Sequence, residues 1–446
     1  MRFILNSLSN MDYNFRTLNY LGSKLRLLDF IEENVRKVTP NDAGVCDLFA
    51  GSGCVSYKLS RLFPVVACDI QHYSKVICDA LLQPSTLTDE TVKAFMSEIK
   101  NSKSLLRDAY TPLIELEEKA IRNENLELLT DVIEHGSIEV YYLEKTESKI
   151  APVQNQVYEK LKKTGLMDKE SHISRYYGGV YFSYSQAVQI DIIMDAIRNH
   201  PNTADKNVLL AALLSTTSDI ACTVGKHFAQ PIKARDSKGK IKKLVYNKAI
   251  KDKTVDVTTL FEEWLDKYVS LPKGKYNNTI LQGDYMECLK TLPDNVRTVY
   301  ADPPYTRDHY SRFYHVLETM ALDDVPEIST VTIHGSTHVS NGIYRKDRHQ
   351  SPFCIRSKAP KAFEGMFKAI SASGRNLLLS YSPYDETKES HPRVVTISQL
   401  MSWASDYFNN VEVVSAGHFS HNKLNSTEHF LESSDEAEIL IVCTNR

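Results

Sequence analysis

The sequence predicts an α/β fold: a mostly parallel sheet with an antiparallel C-terminal strand, into which a largely helical domain is inserted. Three observations carry this. Two stretches of the 446-residue chain, one from about Thr17 to Leu82 and one from Thr279 onward, alternate short apolar strands with helical patterns, as parallel sheets do. Roughly two hundred residues patterned for helices separate them, enough for a domain of its own. The last two strand candidates are joined by a single polar stretch, which suits an antiparallel pair closing the sheet.

In the first stretch the predicted strands are Gly44–Phe49 and Pro64–Ile70, rich in Val, Ala and Cys. In the second they are Thr279–Gly283, Arg297–Ala301, Asn376–Tyr381, Val411–Ala416 and Ala437–Thr444, with polar Gly417–Glu436 before the last. Between the two stretches, Glu90–Glu147 is acidic and reads mainly as helices. Ser185–His200 and Lys206–Ser218 carry apolar residues at helical spacing. Lys226–Lys253 is abruptly basic, with ten Lys or Arg against Asp236 and Asp252, a local net charge of +8. Gly239, between basic runs, predicts a hairpin or loop there. The expected divisions are residues 1–70 and 279–446 for the two parts of a catalytic domain, and 71–278 for the insert.

Composition narrows the class. A hydrophobic content of 42% supports a large core. The longest apolar run, Val208–Leu214, is too short for a membrane span and reads as a core helix. Met1–Asn10 lacks a basic start followed by an apolar run, so a cytoplasmic protein without a secretory signal is expected. The eight cysteines form no C-x-x-C pair, and reduced, mostly buried thiols are the expectation. His418 and His421 make one H-x-x-H without a second ligand pair, so no metal is expected. The net charge of −3 argues neither for nor against nucleic acid; the placement of charge decides.

Two motifs carry chemistry. Asp47-Leu-Phe-Ala-Gly51-Ser-Gly53 follows a predicted strand and precedes a helical pattern, and its glycines let backbone approach a ligand. Asp69 ends the next strand 22 residues later, where an acidic side chain typically holds ribose hydroxyls. No Gly-Lys-Ser/Thr follows the turn, which excludes a P-loop. A dinucleotide site stays open on this motif alone.

The second motif, Asp302-Pro303-Pro304-Tyr305, also stands at the C-terminal edge of a strand. Open α/β sheets bind ligands at that edge. A carboxylate beside a prolyl carbonyl offers two acceptors to the N–H bonds of an aromatic amine. Held that way, the nitrogen is drawn toward a tetrahedral shape and its lone pair is freed from the ring. Tyr305 offers a flat face on which a displaced base can stack. Taken alone the motif also reads as a tight turn; its pairing with the glycine motif favours chemistry.

With these motifs the chain resembles the Dam-type adenine-specific DNA methyltransferases, which run glycine motif, recognition insert, then D-P-P-Y. Asn19-Tyr20-Leu-Gly22-Ser-Lys24 resembles that family's N-terminal motif, in which a Gly-x-Lys segment closes over the methionine end of the cofactor. Gln282-Gly283-Asp284-Tyr285 resembles its G-D-F/Y element, whose acid contacts the cofactor's adenine. The resemblance implies a Rossmann-like methyltransferase sheet, S-adenosyl-L-methionine as cofactor, and duplex DNA as substrate with the adenine flipped out. A cognate restriction enzyme is the further partner it implies. Carried over, Asp302, Pro303, Pro304 and Tyr305 are catalytic. Tyr20, Gly22, Lys24, Asp47, Phe49, Gly51, Gly53, Asp69, Ile70, Asp284 and Tyr285 bind cofactor together with Asp302.

After D-P-P-Y, Tyr310, Phe313, Tyr314, Leu317 and Met320 recur at helical spacing and are expected mainly in the core. The expected DNA contacts are Lys226, Lys233, Arg235, Lys238, Lys240, Lys242 and Lys243 in the basic stretch, with Arg307 and Arg312 beside the motif. An RNA adenine or cytosine-amine methyltransferase, and an inactive DNA-binding module of the same fold, stay open as alternatives.

Overall fold

Runs of Val, Ile, Leu and Cys without a polar face make strands that must be covered on both sides. The computed structural model, which describes residues 13–307, 309–382, 393–416 and 438–445, has such strands at its centre. In chain order the described strands are β1 (Gly44–Asp47), β2 (Val65–Asp69), β3 (Thr279–Gln282), β4 (Val296–Ala301), β5 (Thr330–Ile333), β6 (Ser336–Val339), β7 (Asn376–Tyr381), β8 (Asn410–Ser415) and β9 (Ile439–Thr444). Seven of them form one sheet in the order β3-β2-β1-β4-β7-β9-β8. β1, β2, β3, β4 and β7 run parallel, while β9 is antiparallel to both β7 and β8. β1 and β7 are buried throughout, whereas the edge strands β3 and β8 are largely open to solvent.

The chain divides into two units. The first comprises Met1–Pro84, Leu271–Ser311 and His349–Arg446, and holds the sheet. Successive strand residues face opposite ways, so Cys46, Val299, Ala301, Leu377 and Leu379 share one face and pack with Phe363, Phe367 and Ile370 of the helix Ala359–Ala372. The second unit comprises Ser85–Ser270 and Arg312–Arg348. It is mainly helical, with β5 and β6 as an antiparallel hairpin. Its helix Tyr184–Asn199 starts on a capping box made by Ser183 and Gln186, and Thr203–Ile220 contains the apolar run Val208–Leu214. At its centre the Lys253 ammonium, fully buried, is paired with Glu117 at 2.7 Å.

Two expectations are corrected. Cys68 on β2 and Cys288 on the helix Tyr285–Thr291 form a disulfide, so not every thiol is reduced. The helix following β3 lies against β2 and brings together two cysteines 220 positions apart, a pairing that local spacing does not announce. The other six cysteines are free and buried. The helix expected after D-P-P-Y is two short ones, Tyr310–Phe313 and His315–Leu322, interrupted at Tyr314. Tyr314, Leu317 and Met320 are buried as expected, but Tyr310 faces the cleft described below.

Gly239 does turn a hairpin, closed by a bridge between Arg235 and Ile241. No helix among the described residues is long and apolar enough to cross a membrane. Met1–Asn10, His418, His421 and the polar stretch Gly417–Glu436 lie outside the described residues.

Candidate active site

The order β3-β2-β1-β4 places two chain directions back to back. From β1 the chain winds outward through β2 and β3, then returns to β4 on the other side of β1. At such a reversal the loops leaving neighbouring strands diverge and open a crevice at their C-terminal ends. Asp47 ends β1 and pairs in register with Tyr300 of β4, so the glycine loop and the Asp302 loop leave the sheet side by side.

A cleft of about 1110 Å³, counting the space that opens to solvent, lies there, within the first unit. Its lining includes every expected catalytic residue and every expected cofactor residue except Gly53. Gly53 instead starts the helix Cys54–Ser60 with φ +71°, and a Cβ there would meet Leu81 at 2.9 Å. Gly51 (φ +52°) faces the cleft, where a Cβ would come within 2.7 Å of the Tyr20 hydroxyl. Both positions are left-handed, which favours glycine, and a side chain there would also press on Tyr20 or Leu81.

Acidic groups rim this cleft. Asp69 Oδ2 accepts the Gly51 N–H and its Oδ1 the Gln71 N–H, both at 2.8 Å, which fixes the carboxylate over the glycine turn. Asp47 is buried; its Oδ2 accepts from Ser56 Oγ at 2.6 Å, while Oδ1 has no hydrogen-bond partner. Burial, reinforced by Asp302 and Asp69 and opposed by Ser56, pushes its carboxyl up to about 7. Asp284 caps the helix Tyr285–Thr291, accepting from the Met286 N–H at 2.9 Å, and still lines the cleft. Phe49 and Tyr285 lie with ring centroids 5.8 Å apart, forming an apolar wall with Ile70 and Pro352.

Lys24 is more than a surface lysine at a helix start. It is 4% exposed, and its ammonium lies 2.9 Å from Asp302 Oδ2 and 3.4 Å from Glu438 Oε1. Burial works against its charge, but Asp302 and Glu438 outweigh burial and hold its pKa well above the usual lysine value. The Tyr305 ring is flanked by Tyr381 at 4.7 Å and by the Arg393 guanidinium at 4.9 Å.

Several lining residues carried no motif signal. His349, Ser351, Pro352 and Cys354 come from a largely irregular segment, and Ser311 and Tyr310 from the broken helix. Glu438 was readable only as the beginning of a strand.

The expected DNA-contact residues are placed differently from one another. Lys226 pairs with Asp252 at 2.7 Å and Arg235 with Glu134 at 3.1 Å, so part of the basic stretch is neutralised inside its own unit. Lys233, Lys238, Lys240, Lys242, Lys243 and Arg307 are exposed. Arg312 and Arg348 both lie over the Tyr344 ring, at 5.9 and 4.8 Å. Arg348 stood in no motif.

A family model described as D12 class N6 adenine-specific DNA methyltransferase matches residues 20–179 and 232–358, more than half of the chain. The chain belongs to that family. The matched D12 segments take in the glycine loop, Asp69, Asp284 and the D-P-P-Y motif, and also much of the region 71–278 in which no motif can be placed. Among individual relatives, the chain is 26% identical to "Modification methylase LlaI" of Lactococcus lactis subsp. lactis over 83% of its own length and 47% of that protein's. It is 24% identical to "Type II methyltransferase M.NlaIII" of Neisseria lactamica, over 82% of its own length and 83% of the relative's. With "Type II methyltransferase M.FokI" of Planomicrobium okeanokoites the identity is 24%, over 82% of this chain and 44% of the other. The chain thus spans about half the length of the first and third of these relatives.

Proposed function

We propose that this chain transfers a methyl group from S-adenosyl-L-methionine to the 6-amino group of adenine in duplex DNA, on a base flipped out of the helix. The observation that carries the reading is the shared cleft: Asp302 and Pro303 at the edge of β4 face the space lined by Asp47, Asp69 and Asp284.

The residues fit the cofactor. Asp47 Oδ1 is a buried acceptor without a partner, suited to the ammonium of a methionine end, and Ser311 Oγ is a second buried polar atom left over in the lining. Asp69 keeps lone pairs for ribose hydroxyls beyond the two backbone N–H bonds it accepts. Asp284, Ile70, Phe49 and Tyr285 would hold an adenine ring. When bound, the cofactor supplies an electrophilic methyl group on a cationic sulfur.

The chain's own groups do the rest. Asp302 and the Pro303 carbonyl accept the two N–H bonds of the target amine and hold its lone pair out of the ring plane. Asp302 then takes the proton that the amine sheds as it becomes cationic. Acceptors fixed in advance where positive charge develops lower the barrier without reorganising. A paired, stacked adenine hides its amino group, so the base must leave the duplex to reach a sheet edge. A cognate restriction enzyme is proposed as the biological partner, since the relatives are named modification and Type II methylases.

Mass spectrometry of nucleosides after reaction with duplex DNA, single-stranded DNA and RNA tests this. N6-methylated deoxyadenosine from the duplex is the expected product. Methylated cytosine, or methylated adenosine from RNA alone, would overturn the substrate.

For the DNA backbone we assign the exposed lysines of the basic stretch together with Arg312 and Arg348. Neutralising Lys240, Lys242 and Lys243 is expected to weaken binding to all sequences and to flatten its salt dependence by roughly one unit of slope per lost contact. Filter binding across a salt series checks this; a changed sequence preference with an unchanged slope would place the lysines on bases instead.

A further inference from the structure

Glu438 stands just before β9, outside both segments matched by the family model, and is 1% exposed. Its Oε1 is a meeting point for three donors. Ser380 Oγ of β7 donates at 2.7 Å, the Lys24 ammonium lies at 3.4 Å, and the Tyr305 hydroxyl donates at 3.5 Å. The N-terminal segment, the D-P-P-Y loop and two strands are thereby tied to one carboxylate. Burying a carboxylate costs several kcal/mol unless it is paired and hydrogen-bonded. Here the pairing is with the same ammonium that contacts Asp302.

We infer that Glu438 is a positioning residue for the transfer reaction, sharing Lys24 with Asp302 and fixing the Tyr305 ring. The inference rests on the function proposed above. The physical argument is one of charge sharing. An ammonium with Asp302 as its sole partner would neutralise it and draw its lone pairs into a closed ion pair. Divided between two carboxylates, the same ammonium leaves the group with a net charge of −1. Asp302 then remains an electron-rich acceptor, facing an amine that becomes cationic. Through the Tyr305 hydroxyl, Glu438 also sets the face that the loop turns to a base. Glu438 is absent from the cleft lining, so it acts through Lys24 and Tyr305 and not by touch.

The test compares single-turnover methyl transfer to duplex DNA with cofactor affinity by calorimetry. Glu438→Gln keeps an oxygen for Ser380 and Tyr305 but removes the charge. It is expected to slow transfer on the order of tenfold or more, as loss of outer partners does for metal ligands, with cofactor affinity unchanged within about twofold. Glu438→Asp restores the charge and is expected to recover part of the rate. A Gln variant as fast as the native protein overturns the inference, as does a loss of cofactor affinity equal to the loss of rate, or an Asp variant no better than Gln. Where Glu438→Gln fails to fold, Ser380→Ala loosens the same carboxylate from one side; an unchanged transfer rate in that variant also overturns it. An inactive native protein on duplex adenine would instead sink the proposed function, which the nucleoside assay reads separately.

Discussion

Asp302→Ala is expected to lose about a thousandfold or more in the rate of methyl transfer, close to 4 kcal/mol of barrier, while binding cofactor almost as the native protein does. The asymmetry follows from where the carboxylates sit. Asp47, Asp69 and Asp284 leave β1, β2 and the end of β3, and their hydrogen bonds to Ser56, Gly51, Gln71 and Met286 do not pass through Asp302. Asp302 differs from its partner Lys24 in being open, with a side chain 22% exposed against 5%. It is therefore the more accessible of the two to a substrate. The fold should survive, because Lys24 keeps Glu438 at 3.4 Å and its ammonium is not stranded in the interior. Single-turnover kinetics beside cofactor calorimetry reads both halves. Turnover near the native rate would remove Asp302 from the reaction.

Much of the fold was legible because strands are written locally. Asn376–Tyr381 is a strand over the predicted residues, and the other six strands of the large sheet start and end within about two residues of expectation, the usual uncertainty of an element boundary, whereas the hairpin of β5 and β6 was not expected. The antiparallel end was legible from the order of predicted elements alone, since two consecutive strands joined by a polar stretch pair most simply as neighbours. Asp47, Asp69, Asp284 and Asp302 could be picked out because each stands at the end of an apolar run, and the sheet converts that local fact into a common edge.

What was not legible depends on partners far along the chain. Nothing near Glu438 in the sequence marks it as the mate of Lys24, more than four hundred positions away. The disulfide between Cys68 and Cys288, and the return of His349–Cys354 to the cleft, are likewise products of topology. The basic stretch shows the same limit with opposite sign. Its count of positive residues was correct, but Lys226, Arg235, Lys248 and Lys253 meet Asp252, Glu134 and Glu117 within the folded unit. Net charge along a segment overstates what is left to meet a phosphate.

Lys24→Met should strongly destabilise the sheet-bearing unit. It removes a cation that lies against both Asp302 and Glu438 and leaves two carboxylates, one of them 2% exposed, facing the space it occupied. Stripping one partner from a buried ion pair typically costs about 3–5 kcal/mol, because the remaining charge is stranded. The loss should depend on pH, and in a defined direction. Without the attraction of Lys24 the two carboxylates repel each other more strongly, so in the folded variant one of them binds a proton more tightly than it does in the unfolded chain. The folded variant then holds more protons than the unfolded one, and its stability falls as pH rises. In the native protein Asp302 and Glu438 outweigh the burial of Lys24 and hold its proton far above neutrality. Denaturant unfolding at pH 5 to 8 should therefore show the deficit of Lys24→Met shrinking toward the acid end and widening toward the alkaline end. A stability deficit that is the same at every pH would mean that Lys24 contributes packing and not charge.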